Sequence, residues 1–290
     1  MVSHEHSGEA WYKPKRRTSL MRVGEITVLP LFDGMGYEPA RKGWHRSEFA
    51  EDPWRRHMDA LDADGRLVLT HGGYLVITGD RKLLVDAGVG PVDTVRPRGG
   101  HHTGGAILAS LSQYGLDPSD VTDVVFTHLH FDHVGWASLD GKPVFKNASY
   151  RLHAADWDYF VSGENPVGEA VEKLAVLSGH LEIFDSACAL APGVDTRPTP
   201  GHTPGSTVYV VSSRGERLFF IGDVAHSVVE LLESGWESIF DVCGSQAQTA
   251  RSELVEEVLV TGAAVAGAHF PQLQFGRLGR AGDGLRWLPL

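Results

Sequence analysis

The stretch Thr127-His128-Leu129-His130-Phe131-Asp132-His133 places four potential metal ligands within six residues. An apolar, β-branched run at 124–127 leads straight into it and predicts a buried strand. The ligands should therefore lie where a strand ends and the chain turns, the edge of a sheet at which ligand sites collect. Because His128 and His130 share parity, they can face one cation, while Asp132 and His133 can turn toward a second. Imidazole and carboxylate ligands suit zinc, and also manganese, iron or cobalt.

Three later segments supply further ligands, each in its own glycine-rich or strand-end setting. They are His202 in Thr-Pro-Gly-His-Thr-Pro-Gly, Asp223 in Phe-Ile-Gly-Asp and His269 in Ala-Gly-Ala-His-Phe. A carboxylate has two oxygens, so Asp223 can bridge two cations. Together these residues and the four of the first block could hold two divalent metal ions.

Isolated histidines are weak evidence in this chain, because it contains 15 of them in 290 residues. A lone His-x-His pair usually has no function, whereas a His-x-His-x-Asp-His block after a strand is hard to explain by packing. We give no weight to the histidines outside the motifs, namely His4, His6, His45, His57 and His180. The neighbouring pair at 101–102 is predicted to be solvated.

The motifs resemble those of metallo-β-lactamase-fold hydrolases, and the resemblance covers residues 22–285. The matching segments are Thr-His-Leu-His-Phe-Asp-His-Val-Gly (127–135), Thr-Pro-Gly-His-Thr-Pro-Gly-Ser (199–206), Ile-Gly-Asp (221–223), Gly-Ala-His-Phe-Pro (267–271) and Leu-Leu-Val-Asp-Ala-Gly (83–88). The resemblance implies an α+β fold, an αββα sandwich of two mixed β-sheets flanked by helices. The order of predicted strands and helices along the chain favours the same sandwich.

Carried over position by position, the resemblance implies two ligand sets. One metal would be held by His128, His130 and His202 and the other by Asp132, His133 and His269, with Asp223 bridging them. Asp86 would not bind metal itself but would support one of the ligand histidines. The implied cofactor is two divalent metal ions per chain, with zinc expected and manganese, iron or cobalt as alternatives.

The chemistry of such a centre is hydrolysis. Two cations roughly 3.5–4 Å apart can share one water and lower its pKa until hydroxide is present near neutral pH. A metal-bridging hydroxide would then attack the carbonyl of a lactone or related ester. The chain has no Gly-x-Ser-x-Gly motif that would offer a serine nucleophile instead. The residues expected to be catalytic are Asp132, Asp223 and His226.

Within this family the chain is similar to the branch of quorum-quenching lactonases and methyl parathion hydrolases. The best-known acyl-homoserine lactonases have a tyrosine three residues after the bridging aspartate, where this chain has His226. Lactone hydrolysis is therefore expected, with the natural substrate left open. The alternatives are an arylesterase or organophosphate hydrolase, and then a biosynthetic thioesterase. A non-enzymatic metal scaffold is disfavoured because every ligand is present.

The substrate pocket is expected to be apolar and aromatic. The candidates for its walls are Met35, Tyr37, Trp136, Trp236, Phe240 and Phe270. For each of them ordinary core packing is the competing interpretation. A glycine-rich loop at 32–37 and a mobile or helical insert at 38–64 are predicted near the mouth of the site. Elsewhere the pattern predicts a hairpin at 74–86, a helix at 104–114 and a strongly amphipathic helix at 246–259.

Composition disfavours several classes of partner. The formal net charge is −11 and the sequence pI about 5.7, which makes nucleic acid a poor ligand. No apolar run approaches the length of a membrane span, and the polar, basic N-terminus is not of signal-peptide type. The two lone cysteines, Cys188 and Cys243, fit a reducing cytoplasm better than a disulfide framework.

The domain organisation is predicted to be simple. Residues 1–21 form a flexible N-terminal arm, and residues 22–290 form a single hydrolase domain. The arm could also embrace a second copy of the chain, so a homodimer is one expectation. The expected ligand is a small-molecule ester or lactone, with neither nucleic acid nor membrane as a partner.

Overall fold

The computed structural model describes residues 20–48, 51–282 and 284–290. The predicted arm at 1–21 therefore lies outside the described residues, apart from its last two. In the part of the chain that is described, no helix combines the length and the apolar character needed to cross a membrane.

The elements are numbered in chain order. The strands as far as residue 153 are β1 (Met21–Val23), β2 (Ile26–Pro39), β3 (Trp44–His45), β4 (Arg66–Thr78), β5 (Arg81–Val85), β6 (Asp93–Val95), β7 (His101–Thr103), β8 (Asp123–Val125), β9 (Ser138–Leu139), β10 (Lys142–Pro143) and β11 (Ser149–His153). The later strands are β12 (Leu181–Phe184), β13 (Ala189–Ala191), β14 (Val194–Pro198), β15 (Thr207–Ser213), β16 (Glu216–Phe220), β17 (Glu237–Ser238), β18 (Ala264–Ala266), β19 (Phe275–Ala281) and β20 (Gly284–Pro289). The helices are α1 (Ala40–Gly43), α2 (Ile107–Ser112), α3 (Phe131–Val134), α4 (Ala154–Trp157), α5 (Gly168–Leu174), α6 (Val228–Leu232) and α7 (Gly244–Thr261).

Two large mixed sheets form the body of the protein. The first has the order β12-β11-β8-β5-β4-β2-β7-β6, with β1 added beside β2. Its members β5, β8, β11 and β12 run parallel to one another, and the other pairs are antiparallel. The second sheet has the order β13-β14-β15-β16-β18-β19-β20, with one parallel pair, β16 and β18. The predicted hairpin is confirmed as β4 and β5, in which Tyr74 pairs with Val85.

The main core lies between the two sheets, and each sheet is covered by helices on its other side. Successive side chains of strand β8 point to opposite faces of the sheet. Val125 packs between the two sheets, and Val124 packs under the outer helices. Helix α2 covers the first sheet through Ile107, and helix α7 covers the second through Leu254. Full burial of an aliphatic side chain of this size contributes roughly 1.5–3 kcal/mol. The layers run helix, sheet, sheet, helix, which confirms the predicted αββα sandwich.

Helix α7 is longer and less strongly amphipathic than predicted. It extends beyond both ends of the predicted segment and ends at Gly262, whose left-handed backbone (φ 63°) lets its N–H bond the carbonyl of Val258. Its inward side carries Arg251 as well as apolar residues. The buried guanidinium donates to the carbonyls of Val224 and Trp236, so it pins two loops beside the helix.

The predicted glycine-rich loop at 32–37 is wrong, because these residues form the middle of β2. Strand β2 pairs with β4 on one side, where Met35 lies opposite Thr70, and with β7 on the other. Strand β4 pairs along the length of this segment, and the short strand β7 pairs with residues 35–37. The glycines serve close approach instead, since a Cβ on Gly36 would lie 2.7 Å from Nε2 of His71.

The segment at 38–64 is packed rather than mobile where it is described, and only α1 in it is α-helical. Trp44 and Trp54 are both buried, and Trp54 donates its indole N–H to the carbonyl of Trp44. Trp54 also packs against Trp236, with ring centroids 4.8 Å apart. This small core fixes β3 beside the edge of the sandwich where the ligand motifs end.

Candidate metal centre

The predicted ligands converge at one edge of the sandwich, where strands of both sheets end. The block at 128–133 follows β8 of the first sheet and continues into α3. His202 lies in the loop before β15, Asp223 follows β16 and His269 follows β18, all in the second sheet. All of these side chains are buried except His130, which is half-buried. Because both sheets contribute, the ligands meet only in the folded chain.

The first group of donors has the spacing that a tetrahedral cation requires. Nδ1 of His130 lies 3.0 Å from Nε2 of His128 and 2.9 Å from Nε2 of His202. Oδ2 of Asp223 lies 3.8 Å from Nε2 of His128 and 3.5 Å from Nε2 of His202. Ligand bonds of about 2.0–2.1 Å at tetrahedral angles put donor atoms roughly 3.3 Å apart. These four residues therefore fit one divalent cation.

A second group lies on the other side of Asp223. Nε2 of His133 and Nε2 of His269 are 3.3 Å apart, and Oδ1 of Asp223 lies 3.4 Å and 3.2 Å from them. Oδ2 of Asp132 lies 3.5 Å from Nε2 of His269. The spacing again suits one cation. Asp132 approaches it from the His269 side.

Asp223 turns one carboxylate oxygen toward each group. Oδ1 is buried and has no hydrogen-bond partner among the described residues, so it is available to bind a cation. Burial opposes ionisation of Asp223, but His269 and His133 outweigh it and hold the pKa of the carboxyl well below its usual range. The geometry therefore suits the bridging role expected from the sequence.

The two groups differ in their charge state before any cation binds. Burial and the neighbouring histidines lower the pKa of His128 well below its usual value and that of His130 to about 3. In the second group burial also opposes protonation, but the Asp223 carboxylate outweighs it and raises the pKa of His133 and His269. The lowered pKa leaves the lone pairs of His128 and His130 free, whereas the raised pKa means that a cation must compete with protons for His133 and His269.

Asp86 lies behind His133, where the resemblance places it. Its Oδ2 is 2.9 Å from Nδ1 of His133, and its two oxygens also accept from the backbone N–H and the hydroxyl of Thr127. A carboxylate on Nδ1 keeps the proton there and leaves Nε2 free to face a metal. Asp86 has a left-handed backbone (φ 59°), which an aspartate tolerates better than most residues.

Asp241 performs the same task for His202 and was missed in the sequence. Its Oδ1 lies 2.9 Å from Nδ1 of His202, and it is held near the buried guanidinium of Arg251. His269 is oriented by a backbone group instead, since its Nδ1 lies 3.0 Å from the carbonyl oxygen of Thr70. Neither contact belongs to a local motif, so neither gave a signal in the sequence.

Asp156 clamps the two ligand loops together and was also missed. It accepts hydrogen bonds from the backbone N–H of Leu129, the hydroxyl of Thr203 and the backbone N–H of Gly205. Burial raises the pKa of Asp156 to about 6, although the three donors oppose that shift. The loop at 127–135 and the loop at 199–206 are thus joined by one side chain.

His226 lies at the floor of the site beside Asp223. Its Nε2 is buried without a hydrogen-bond partner, 3.5 Å from Oδ2 of Asp223. Its Nδ1 lies 3.3 Å from the indole N–H of Trp44, which can only donate. Oε1 of Glu230 also lies 3.5 Å from Nδ1, so this ring nitrogen faces both a donor and an acceptor. In the tautomer that accepts the indole N–H, the ring proton is on Nε2.

The protonation of His226 depends on the occupancy of the centre. Burial opposes the charged form, but the carboxylates of Asp223 and Glu230 outweigh it and raise the pKa of His226 to about 9. That charged form conflicts with the indole contact on Nδ1. Cations beside Asp223 would offset its negative charge and so favour the neutral ring that the Trp44 contact requires.

A cavity of about 360 Å³ opens over this floor. Its walls and floor are formed by Glu38, Trp44, Leu69, Arg96, Pro97, Arg98, His102, His130, Phe131, Asp132, His202, Asp223, His226, Ile239, Phe240 and His269. Phe240 is the one predicted wall residue among them. Trp44, Leu69, Arg96, Arg98 and Ile239 were not predicted, because their segments are remote from the motifs in sequence. Phe131 was not predicted either, although it lies within the first motif.

The remaining predicted wall residues lie elsewhere. Trp136 is buried in the core and donates its indole N–H to Asp33, Trp236 is buried against Trp54, and Phe270 is buried 5.4 Å from the ring of Trp287. Their positions next to motifs reflect core packing, the competing interpretation. Met35 and Tyr37 are half-buried on β2 and also lie off the cavity walls.

The histidine pair at 101–102 is not simply solvated, as was predicted. His101 is half-buried and bonds Asp93, while His102 is buried between Glu38 and His71. The donor atoms of His71, Asp132 and His269 lie within 4.8 Å of one another. His71 was not among the predicted ligands because a lone histidine within a strand gives no motif.

Comparison with known proteins agrees with this geometry. The sequence profile of the Metallo-beta-lactamase superfamily matches residues 73–269. An N-acyl homoserine lactonase from a Bacillus species is 28% identical over 145 residues, covering 46% of this chain and 54% of that protein. The chain thus spans about half the length of the curated lactonases it matches.

Two solved structures share the fold over almost the whole chain. AidC, a dizinc quorum-quenching lactonase, matches with a TM-score of 0.80 and 24% identity, covering 94% of this chain and 97% of its own. The hydrolase AbOPH of the beta lactamase superfamily matches with a TM-score of 0.79 and 23% identity, covering 96% and 99%. Since the family profile spans all the ligand motifs and well over half of the sequence, the chain belongs to the metallo-beta-lactamase superfamily.

Proposed function

We propose that this protein is a metal-dependent hydrolase that opens the ring of a lactone or cleaves a related ester. One observation carries the proposal: the unpartnered Nε2–H of His226 lies beside Asp223 at the floor of an aromatic cavity. A hydrogen-bond donor placed there can stabilise the negative charge that develops on a carbonyl oxygen during acyl transfer. The named lactonases among the relatives and fold neighbours support the same reaction class.

The two donor groups fit two divalent cations, for which zinc is our proposal and manganese, iron or cobalt the alternatives. Such a pair supplies Lewis acidity and an activated water when bound. The side chains of the protein orient the ligands and exclude bulk water. Asp86 and Asp241 keep His133 and His202 aimed at the centre, and the burial of the whole group excludes bulk water.

The cavity walls suit an acyl or aryl group. Trp44, Leu69 and Phe240 present apolar surface to the space above the donors. Arg96 and Arg98 line the same cavity, and Arg96 is paired with Glu169. Arg98 brings positive charge that suits the carboxylate released by ring opening. An N-acyl homoserine lactone combines an apolar chain with such a ring, so quorum quenching is the proposed biological role.

An aryl ester is the second candidate, since the walls carry three aromatic residues, Trp44, Phe131 and Phe240. Aromatic rings stack on one another in offset or edge-on geometry, which would hold an aryl leaving group. The same cavity would then serve an arylesterase with the same metal centre.

A substrate panel decides between these classes. The metal-loaded protein should be assayed for kcat/KM on lactones of increasing acyl length, aryl esters, phosphotriesters, thioesters and β-lactams. We expect lactones to be the best substrates, with kcat/KM rising as the acyl chain lengthens and fills the cavity. The Asp223→Ala variant is the control, and it should lose both metal affinity and turnover. A preference of more than tenfold for another class would replace the lactonase proposal with that class.

Compartment and assembly are part of the proposal. We propose a cytoplasmic protein, supported by Cys188 and Cys243, which are both free. A homodimer, with no nucleic acid or membrane as partner, is also proposed. Light scattering at several protein concentrations tests the assembly state, and a purely monomeric result would remove the dimer.

A further inference from the structure

A buried chain of three side chains leads from the cavity wall to the second donor group. Oε1 of Glu38 lies 2.8 Å from Nε2 of His102, and Nδ1 of His102 lies 2.9 Å from Nε2 of His71. All three residues are buried, and His71 is fully so. The other ring nitrogen of His71, Nδ1, has no hydrogen-bond partner among the described residues.

One arrangement of protons satisfies both contacts with a neutral His102. Nε2 of His102 then donates to the carboxylate of Glu38, and Nδ1 of His102 carries a lone pair. That lone pair accepts from Nε2 of His71. Nδ1 of His71 then also carries a lone pair, and it is the atom without a hydrogen-bond partner among the described residues.

This lone pair faces another electron-rich atom. Nδ1 of His71 lies 3.7 Å from Oδ2 of Asp132, and both lie close to Nε2 of His269. Two acceptors at this distance repel each other in a buried site unless positive charge lies between them. Three donor atoms within 4.8 Å of one another are close enough to share one cation.

We propose that His71 is an additional ligand of the second metal, held as a lone-pair donor by His102 and Glu38. His71 would then bind the second metal together with Asp132 and His269, the two residues whose donor atoms lie within 4.8 Å of its own. The first group has no counterpart to this ligand among the described residues, so the two metals would differ in coordination number. The inference rests on the two-metal centre of the proposed function and not on its substrate.

The backbone around the chain fits this role. Strand β4 carries His71 next to Thr70, whose carbonyl orients His269, so one strand positions both histidines. Gly36 on β2 lies under the contact between the two imidazoles. A Cβ there would come within 2.7 Å of Nε2 of His71 and 2.9 Å of Nδ1 of His102. The glycine leaves the space that the histidine pair needs.

The test is metal binding, and it needs no substrate. The two dissociation constants for Zn²⁺ are measured by competition with a chromophoric chelator in the full-length protein. His71→Asn should weaken one of the two binding steps at least tenfold, the size of effect that loss of a supporting contact already produces. The weakened step should be the one that His269→Asn also weakens. The visible absorption of the Co²⁺-loaded protein should become stronger, because a site with fewer ligands is closer to tetrahedral.

Glu38→Gln tests the chain without removing the ligand. A glutamine can donate its amide hydrogen to Nε2 of His102, which reverses both hydrogen bonds and puts a proton on Nδ1 of His71. The same binding step should weaken, although His71 is intact. His101→Asn is the matched control, since His101 is the neighbour on β7 and bonds Asp93 at the surface. It should leave both constants within twofold of the wild type.

The proposal is overturned if folded His71→Asn protein binds both Zn²⁺ ions within twofold of the wild type and keeps the Co²⁺ spectrum. Should His71→Asn fail to fold, Glu38→Gln decides by the same two criteria. If the protein does not hydrolyse lactones but His71→Asn still weakens Zn²⁺ binding, only the proposed substrate is wrong. If the protein hydrolyses lactones but His71→Asn leaves Zn²⁺ binding unchanged, only the proposal that His71 is a ligand is wrong.

Discussion

At the scale of single residues, we propose that His226 contacts the substrate. When its Nδ1 accepts the indole N–H of Trp44, its Nε2–H is a donor in the cavity without a hydrogen-bond partner among the described residues. The competing role is to brace Asp223, whose Oδ2 lies 3.5 Å from Nε2.

His226→Ala should lower kcat/KM roughly 10²–10³-fold, the usual loss when one donor to a developing oxyanion is removed. Metal content, measured by elemental analysis, should stay at the wild-type value. Trp44→Phe is the companion variant, because it keeps the aromatic wall and removes only the donor to Nδ1. Its effect should be smaller. A joint fall of metal content and activity in His226→Ala would show that the residue braces the centre instead.

The ligand residues could be predicted from the sequence, but their supporting partners could not. Each motif ligand stands in a local context of strand end and glycine that one segment displays. Asp241 is 39 residues from His202, and His71 is 31 residues from His102, so only the fold brings each pair together. Aromatic residues fail for another reason, since a core position and a cavity wall favour the same side chains.

At the scale of elements, the two ligand loops are held by a contact that neither loop could make alone. Helix α4 begins at the end of β11 and presents Asp156 to both loops. One carboxylate satisfies two backbone N–H groups and one hydroxyl there. The helix thus sets the distance between the block at 128–133 and His202.

Asp156→Ala should lower the free energy of unfolding by about 2–4 kcal/mol, since three hydrogen bonds are lost and their buried donors are left unpaired. Urea unfolding of the metal-free protein measures this loss without any contribution from bound metal. Asp158→Ala, two residues on at an exposed position, is the control and should change stability by less than about 0.5 kcal/mol. Equal stability of the two variants would mean that the clamp does not hold the loops.

Element boundaries show where sequence patterns are ambiguous. The hairpin β4–β5 and the strand before the metal block were predicted because apolar alternation and turn residues agree there. The middle of β2 was predicted as a loop because its glycines suggest a turn, whereas Gly36 allows close approach of His71 and His102 and Gly34 allows close approach of Thr103. Nothing in the segment itself separates those two uses of glycine.

At the scale of the whole molecule, the metal centre joins the two halves of the sandwich. The first sheet supplies the block at 128–133, and the second supplies His202, Asp223 and His269. Cations bound between them contact only the folded state, so they add stability through mass action. Metal content and stability should therefore change together.

Protein prepared without chelator should contain two equivalents of divalent metal by elemental analysis. Removal of metal with a chelator should lower the thermal unfolding midpoint, and return of Zn²⁺ should restore it. A ligand at 100 times its dissociation constant adds about 2.7 kcal/mol. One equivalent of metal in metal-replete protein would contradict the two-metal centre. The same is true if the thermal unfolding midpoint does not change when metal is removed.

The charge difference between the two donor groups predicts a pH dependence for the whole centre. Burial opposes protonation of His133 and His269, but the Asp223 carboxylate outweighs it and raises their pKa, so a cation must compete with protons for these rings. The apparent affinity of the second group should therefore rise with pH until those raised pKa values are passed. His130 has its pKa lowered to about 3 by burial and by His202, so its ring adds no pH dependence to the first group in this range. Calorimetric titration with Zn²⁺ between about pH 6 and 8, in buffers of different ionisation enthalpy, measures the protons released at each step. We expect more proton release at one step than at the other, and equal release at both steps would contradict the difference between the two groups.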